Sequence, residues 1–419
     1  MKSFYIANRK RIMADVKPDS LVVLFSGKAP RSSADAHLPF VVNRNFYYLT
    51  GLDRENFILV MSNLGGESTT ELFIEKPDYD VEKWVGRKMK RAVAQSVSGI
   101  EKVSYVENFE TAIVGYAAKQ IACVYSDFDR FSWTEPEMLQ NSWVKAFTDR
   151  YPHVAVENIL PAMIKARMIK QPYEIEQIKK AIGYTERGLK KVLKALQPDA
   201  YEYAMEALFR YSICSEGSAG NSFPTIAASG ENAVILHYVE NDRQMKAGEL
   251  VLFDLGALEN NYASDISRAY PIGGRYSARQ RQIYDIVLGA QGAVMEIMVP
   301  GTPFAELNKR CIAYMTKALK EIGLIERDED VSKYYYHGVS HHLGLDVHDI
   351  SDRSMPLQPG MVLTVEPGLY IAEEGIGIRI EDDILITEEG NVNLSESIIK
   401  DPAQIEAFIN SCLHIGQKY

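Results

Sequence analysis

The sequence predicts an α/β (α+β) chain in two parts, a small N-terminal α/β domain over residues 1–160 and a larger domain over 161–419. Three observations predict it. The first 150 or so residues alternate strand-like with helix-like segments. Pro161 and Pro172 punctuate the chain just before a long amphipathic stretch begins. Beyond that stretch helices and strands alternate differently, and the candidate chemistry lies there.

In order along the chain, Leu21 to Gly27 reads as a buried strand ending at Gly, and Phe46–Gly51 and Phe57–Met61 read as two more. Lys83, Arg87, Lys88, Lys90 and Arg91 form a basic run that reads as a solvated helix face. Ile175, Ile178 and Ile182, continued by Leu189, Val192, Leu193 and Leu196, keep the spacing of one helix face, with charges opposite. Gln197-Pro198-Asp199 ends that helix, because proline disfavours helical geometry in the residue before it. Further helices are expected over 201–214, 277–298 and 303–322. Strands are expected over 250–254, 263–271, 360–366 and 376–387.

Composition narrows the function classes. The 419 residues are 46% hydrophobic and 24% charged, an ordinary soluble globule rather than a disordered chain. The 46 basic and 56 acidic residues give a formal charge of −10, which argues against a broad grip on nucleic acid or anionic lipid. No apolar run approaches the roughly 20 residues of a membrane span. The N-terminal MKSFYIANRKRIM lacks an uninterrupted apolar core, so no secretory signal is expected. Cys123, Cys214, Cys311 and Cys412 show no metal or redox spacing and read as buried free thiols in a reducing compartment, the cytoplasm. Gly375-Ile376-Gly377 enters a strand rather than leaving one, which excludes a dinucleotide loop.

Five of the eight histidines fall between 237 and 348: His237, His337, His341, His342 and His348. His37, His153 and His414 stand alone and read as surface or structural residues. Asp254 closes the apolar run VLFDLG, and a charge there is costly unless something binds it. Asp265 follows eleven residues on, and a hairpin with Gly256 in its turn would bring both carboxylates together. Taken singly, each Asp reads as a turn or cap residue. Glu366 closes VLTVE before Pro367-Gly368. In GIGIRIEDD, Arg379, Glu381 and Asp383 share one strand face, so Arg379 is either a plain ion-pair partner or orients a metal-bound carboxylate. His337 and His341 are four apart, but Gly338 and Gly344 argue for a loop, and the segment is not HExxH. Four carboxylates, Asp254, Asp265, Glu366 and Glu381, carry −4, which two divalent cations would neutralise. Oxygen ligands with one imidazole favour Mn²⁺, with Co²⁺, Fe²⁺ or Zn²⁺ as competitors.

At these residues the sequence resembles the pita-bread metallopeptidases, and within them aminopeptidase P of the bacterial type. ASGENAVILHY, VLFDLG with YASDISR, HGVSHHLGLDVHD, VLTVEPGLY and GIGIRIEDD carry the resemblance, in the family's order and spacing. AHLPFVVNRNFYYLTGL extends it into the first part. The resemblance implies a creatinase-like N-terminal domain followed by a pita-bread catalytic domain. It implies two metal ions held by Asp254, Asp265, His341, Glu366 and Glu381, with Asp265 and Glu381 bridging. It implies that His237, His337 and His348 meet the substrate and the developing oxyanion, that Arg379 supports the ligands, and that Glu366 takes the proton of the attacking water. The implied substrates are peptides with proline in second position, and the implied assembly is a homodimer or homotetramer.

The sequence departs from the family pattern in three places. Only four residues separate Tyr370 from Gly375, Phe223 replaces a Tyr of some members, and His342 stands where others carry an aromatic residue. Prolidase, which cleaves Xaa-Pro dipeptides with the same ligands, is the nearest alternative. A metal-free creatinase-like hydrolase, or a pita-bread binding protein without activity, would lack some of the five ligands, and none is missing.

Overall fold

A computed structural model describes residues 1–130 and 132–416, with side chains as far as Cys412, so the imidazole of His414 lies outside the described residues. The chain divides into two compact units, Met1–Ala166 and Arg167–Tyr419.

The alternation in the first unit builds one six-stranded mixed sheet. Its order is Lys102–Tyr105, Glu67–Ile74, Ile58–Leu64, Ser20–Phe25, Cys123–Ser126 and Ala155–Asn158. Ser20–Phe25 is buried on both faces and runs antiparallel to Ile58–Leu64 and parallel to Cys123–Ser126. Leu21, Val23, Val60, Phe73, Val124 and, from the covering helices, Phe109 and Phe147 form its core. Residues Phe46–Gly51 are not a strand. They belong to the helix Arg44–Thr50, where the Asn43 side chain accepts the amide of Phe46. Their aromatic content favours strands, but Phe46, Tyr47, Tyr48 and Leu49 are all buried, and a helix enclosed on every side has no polar face to betray its period. In the basic run, Lys83 pairs with Asp80, Lys88 with Glu75, and Arg91 lies over the Tyr105 ring.

In the second unit the amphipathic segment is the helix Pro172–Ala195, opened by a capping box between Gln171 and Glu174 with Pro172 in the first turn. Its apolar face packs on the helix Glu202–Ser215. The helices Ala278–Met295 and Phe304–Glu321 pair likewise. Leu250–Leu255 is the centre of a three-stranded antiparallel sheet between Ile226–Ser229 and Ile266–Pro271. A second sheet joins Val362–Val365, Asp382–Thr387 and Gly390–Asn393, and a ribbon pairs Gly368–Ile371 with Ile376–Arg379.

Two strands expected to be continuous are broken. The stretch 263–271 is interrupted at Ser264-Asp265, and 376–387 at Ile380-Glu381. The partner strand of the latter breaks opposite, at Glu366-Pro367, where proline has no N–H to continue a ladder. The hairpin turn also differs from expectation. Asn260 and Asn261, both at positive φ, make it, while Gly256 serves close packing: a Cβ there would lie 1.9 Å from the Ser264 carbonyl oxygen. Cys123 and Cys311 are buried thiols as expected, but Cys214 is exposed and Cys412 half-buried. Cys214 lies on the outward side of an amphipathic helix, which hydrophobicity alone does not reveal. His37 and His153 are exposed. No helix among the described residues is long and apolar enough to cross a membrane.

Candidate active site

The strand breaks position the chemistry. At a break the backbone leaves its ladder and finds other partners, turning its side chains out of the pleat. The Glu366 amide bonds the Val339 carbonyl (2.9 Å), and the Glu381 amide bonds the Ser267 carbonyl (3.0 Å). Gln291 satisfies the carbonyls left at Val365 and Ile380. The Asp265 amide donates to the Asp383 carboxylate (3.2 Å). Asp254 sits opposite Ser267 in the hairpin register. Segment 337–349 is an irregular loop, as its glycines indicated, held by Leu343 N to Val362 O and Thr364 N to His341 O.

Asp254, Asp265, His341, Glu366 and Glu381 converge. Ligand atoms of Asp265, His341 and Glu381 lie within 4.8 Å of one another, all three side chains buried. His341 Nε2 is 3.4 Å from Asp265 Oδ2 and 3.5 Å from Glu366 Oε1, and its Nδ1 faces the His342 carbonyl (3.1 Å). Asp254 is held by Arg379 Nη2. Arg379 Nε reaches Ser267 Oγ (2.8 Å), Ser267 Oγ reaches Glu381 Oε2 (2.7 Å), and Arg379 Nη1 reaches the Tyr370 hydroxyl (2.9 Å). Tyr370 in turn meets His337 Nε2 at 2.9 Å. With His337 Nδ1 donating to the Gly338 carbonyl (2.8 Å), Nε2 accepts from Tyr370, which accepts from Arg379. His348 packs edge-on against His341, ring centroids 4.2 Å apart. His237 is exposed, near enough to His337 and His348 to add to the lowering of both.

The electrostatics fit a cation. Burial first, then mutual repulsion with Asp254, raises Asp265 well above the carboxylate range; burial and the charge of Asp265 do the same for Glu381. Burial pushes Glu366 up to about 7, with the charges of Asp265 and Asp254 adding to it. Burial lowers His337 and His348 to about 4 each. The buried Asp254 Oδ1 and Glu381 Oε1 have no hydrogen-bond partner. Buried carboxylate oxygens left without a partner beside an imidazole are costly in a bare protein and are what a divalent cation satisfies.

Ser267 and Tyr370 were not singled out from the sequence, and Asp383 was named only as sharing a strand face with Arg379 and Glu381. Ser267 lies two residues from Asp265, so the same periodicity could have found it. Tyr370 gives no such signal, since its hydroxyl finds Arg379 only through the ribbon. A separate polar cavity of about 460 Å³, lined by Glu231, Arg243, Lys246, Glu249 and Glu374 among others, contains none of these residues. Arg243 and Glu249 in it pair with each other.

The model of metallopeptidase family M24 matches residues 176–388, half of the chain, and that of the aminopeptidase P N-terminal domain matches residues 5–125. The chain belongs to metallopeptidase family M24. Within that family it is similar to the Xaa-Pro aminopeptidase of Escherichia coli (strain K12), at 33% identity over 96% of each chain. It is 30% identical to human Xaa-Pro aminopeptidase 3 over 93% of this chain and 80% of that one. Among solved structures, aminopeptidase P from E. coli with the inhibitor Pro-Leu superposes with a TM-score of 0.91 at 31% identity, covering 99% of both chains. Proline aminopeptidase P II from Yersinia pestis gives 0.91 at 29% identity, covering 98% of this chain and 100% of that one. This M24 protein is a metallo-aminopeptidase with the two-domain aminopeptidase P fold, an N-terminal domain followed by a pita-bread domain.

Proposed function

We propose that the chain releases the N-terminal residue from peptides with proline in second position (Xaa-|-Pro-Yaa). The observation that carries this is the meeting, at strand breaks and the histidine loop, of Asp265, Glu381 and His341 with Glu366, with carboxylate oxygens left unsatisfied. The Xaa-Pro relatives, and an inhibitor with N-terminal proline bound to one of them, support the specificity. Asp254, Asp265, His341, Glu366 and Glu381 would hold two divalent cations, Mn²⁺ being favoured by the predominance of carboxylate oxygen. Such ions supply Lewis-acid polarisation of the scissile carbonyl and acidify water.

The remaining work falls to side chains. Glu366, 3.5 Å from His341 Nε2, takes the proton of the attacking water and delivers it to the leaving nitrogen. His348 or His237 donates a hydrogen bond to the developing oxyanion; His348, lowered to about 4, would do so as a neutral imidazole. His337, held by Tyr370, faces substrate in the same neutral form. Arg379 fixes Asp254 directly and Glu381 through Ser267, and thereby holds the ligands in place. A bond to proline is a tertiary amide without N–H, and none of these contacts needs one.

Four cysteines without a disulfide suit a reducing compartment, and the cytoplasm is the proposed location. A homodimer or homotetramer is the proposed assembly. The helix Tyr79–Val85 buries none of its residues and exposes Trp84 and Val85, a surface that a neighbouring copy would cover. The test is hydrolysis of Xaa-Pro and Xaa-Pro-Yaa by chelated protein with Mn²⁺ added back. Release of the first residue from the tripeptide, restored by metal, is expected. Cleavage of the dipeptide alone would move the assignment to prolidase, and no metal-dependent cleavage of either would overturn the reading.

A further inference from the structure

Behind the histidine loop lies a charge cluster that the reaction above does not use. Asp349, the residue after His348, has a side chain only 1% exposed. It is met by Lys170 Nζ at 2.9 Å and by Arg167 Nη2. Arg167 Nη2 also reaches Asp346 Oδ2 at 2.7 Å, so one guanidinium holds carboxylates on both sides of His348. Lys170 is 1% exposed and Arg167 2%. The Asp349 amide donates to the His342 carbonyl (2.8 Å), closing the loop on itself one residue after His341. The space is cut to fit: a Cβ on Gly344 would lie 2.3 Å from Asp349 Oδ2 and 3.0 Å from Lys170 Cε. The Gly344 carbonyl accepts the Ala263 amide, and the Lys170 amide bonds the Gly360 carbonyl, so the cluster is tied to the hairpin of Asp265 and to the strand leading to Glu366.

Burying three charges is a poor means of stabilising a core. Their desolvation is barely repaid by pairing, and apolar residues of like size commonly serve stability as well or better. What charge-assisted bonds supply is direction. Here the direction is imposed on the backbone at both flanks of His348, whose ring is set edge-on to His341. We propose that Arg167 and Lys170 are positioning residues for His348, acting through Asp346 and Asp349; this rests on the aminopeptidase reading above. The clamp includes none of the five candidate ligands and none of the candidate substrate-facing histidines, so its loss should leave binding largely intact and misplace one imidazole.

The test is a double-mutant cycle on an Xaa-Pro-Yaa peptide with the metal-loaded, full-length protein. Lys170→Met is expected to lower kcat by about tenfold to a hundredfold, as small misplacements do, with KM and metal content little changed. In a His348→Ala background the same substitution should cost almost nothing further. Asp346→Asn, at a half-exposed position that does not threaten folding, should show a smaller loss with the same dependence on His348, and carries the test if Lys170→Met does not fold. Equal losses with and without His348, or a lower unfolding temperature with unchanged kcat, would overturn the proposal. The ¹⁵N signals of the His348 imidazole, assigned by their absence in His348→Ala, give a readout without turnover. They should shift in Asp346→Asn; if they do not, the clamp fails even where cleavage is seen, whereas an inactive wild type with shifting signals would fault the peptidase reading alone.

Discussion

Glu366 shows how one residue acquires its chemistry. Its strand ends because Pro367 follows, its amide turns to Val339, and its carboxylate comes to rest 3.5 Å from His341. Burial lifts its proton affinity to about 7, while His341 and Arg379 pull the other way. That value belongs to the cation-free chain; with cations bound, the same position holds the carboxylate where it can accept a proton from water and return it. Glu366→Gln keeps the shape and one oxygen ligand but cannot carry the proton. It is expected to lower kcat by roughly 10²–10⁴-fold with the fold retained, as general acid–base catalysis contributes about that much. Single-turnover measurement on metal-loaded protein checks this, and an unimpaired variant removes Glu366 from the role. At this scale the sequence was informative where order and spacing did the pointing: Asp254, Glu366 and Glu381 each follow an apolar run, and Asp265 lies a hairpin's length beyond Asp254. It was silent on Tyr370, whose role depends on where a ribbon folds, and on Asp349, which reads as one more loop acid until Arg167 and Lys170 come to it from 179 positions and more away.

Elements show the same division. The helix Pro172–Ala195 was legible because one buried stripe repeats along it against charges. The helix Arg44–Thr50 was not, because every side of it is enclosed. The broken strands were misread as continuous because a break is decided by partners such as Gln291, Val339 and Ser267 that local pattern does not contain. The start of the long helix carries a prediction of its own. Glu174 accepts the Gln171 amide (3.0 Å) and the Tyr262 hydroxyl (3.1 Å), but burial dominates and raises it to about 7. The folded chain therefore holds a proton there that the unfolded chain has released by about pH 5. The stability tied to this proton is complete below the ordinary carboxylate range and is lost as pH rises through about 7. Glu174→Gln keeps the capping geometry without the charge. It should equal the wild type in acid and exceed it increasingly toward pH 8, by up to about 3 kcal/mol over the whole titration. Urea denaturation of both proteins from pH 5 to 8.5 checks this, and parallel curves would show that Glu174 is ionised in the fold at no cost.

For the whole molecule, the decisive fact is that every candidate ligand lies in Arg167–Tyr419 and none in Met1–Ala166. Each unit has its own core and its own sheets. A cation that binds the folded site and not the unfolded chain stabilises by mass action, about 2.7 kcal/mol at a hundred times its dissociation constant. It also favours the ionised forms of Asp265 and Glu381, which burial and then mutual repulsion disfavour, so its effect should weaken in acid, where protons compete for the same oxygens. Hydrogen exchange of chelated and Mn²⁺-loaded protein locates that stabilisation. Protection is expected to rise in Leu250–Leu255, Ile266–Pro271, Val362–Val365 and Asp382–Thr387, whose ends carry the carboxylates, and to stay unchanged in the Ser20–Phe25 sheet. Equal gains in both units would mean that they unfold as one, so that a site built in one half governs the stability of the other. No gain in the four strands would mean that their acidic ends tolerate repulsion without a cation, and the reason for breaking two ladders at Glu366 and Glu381 would have to be sought in something other than metal binding.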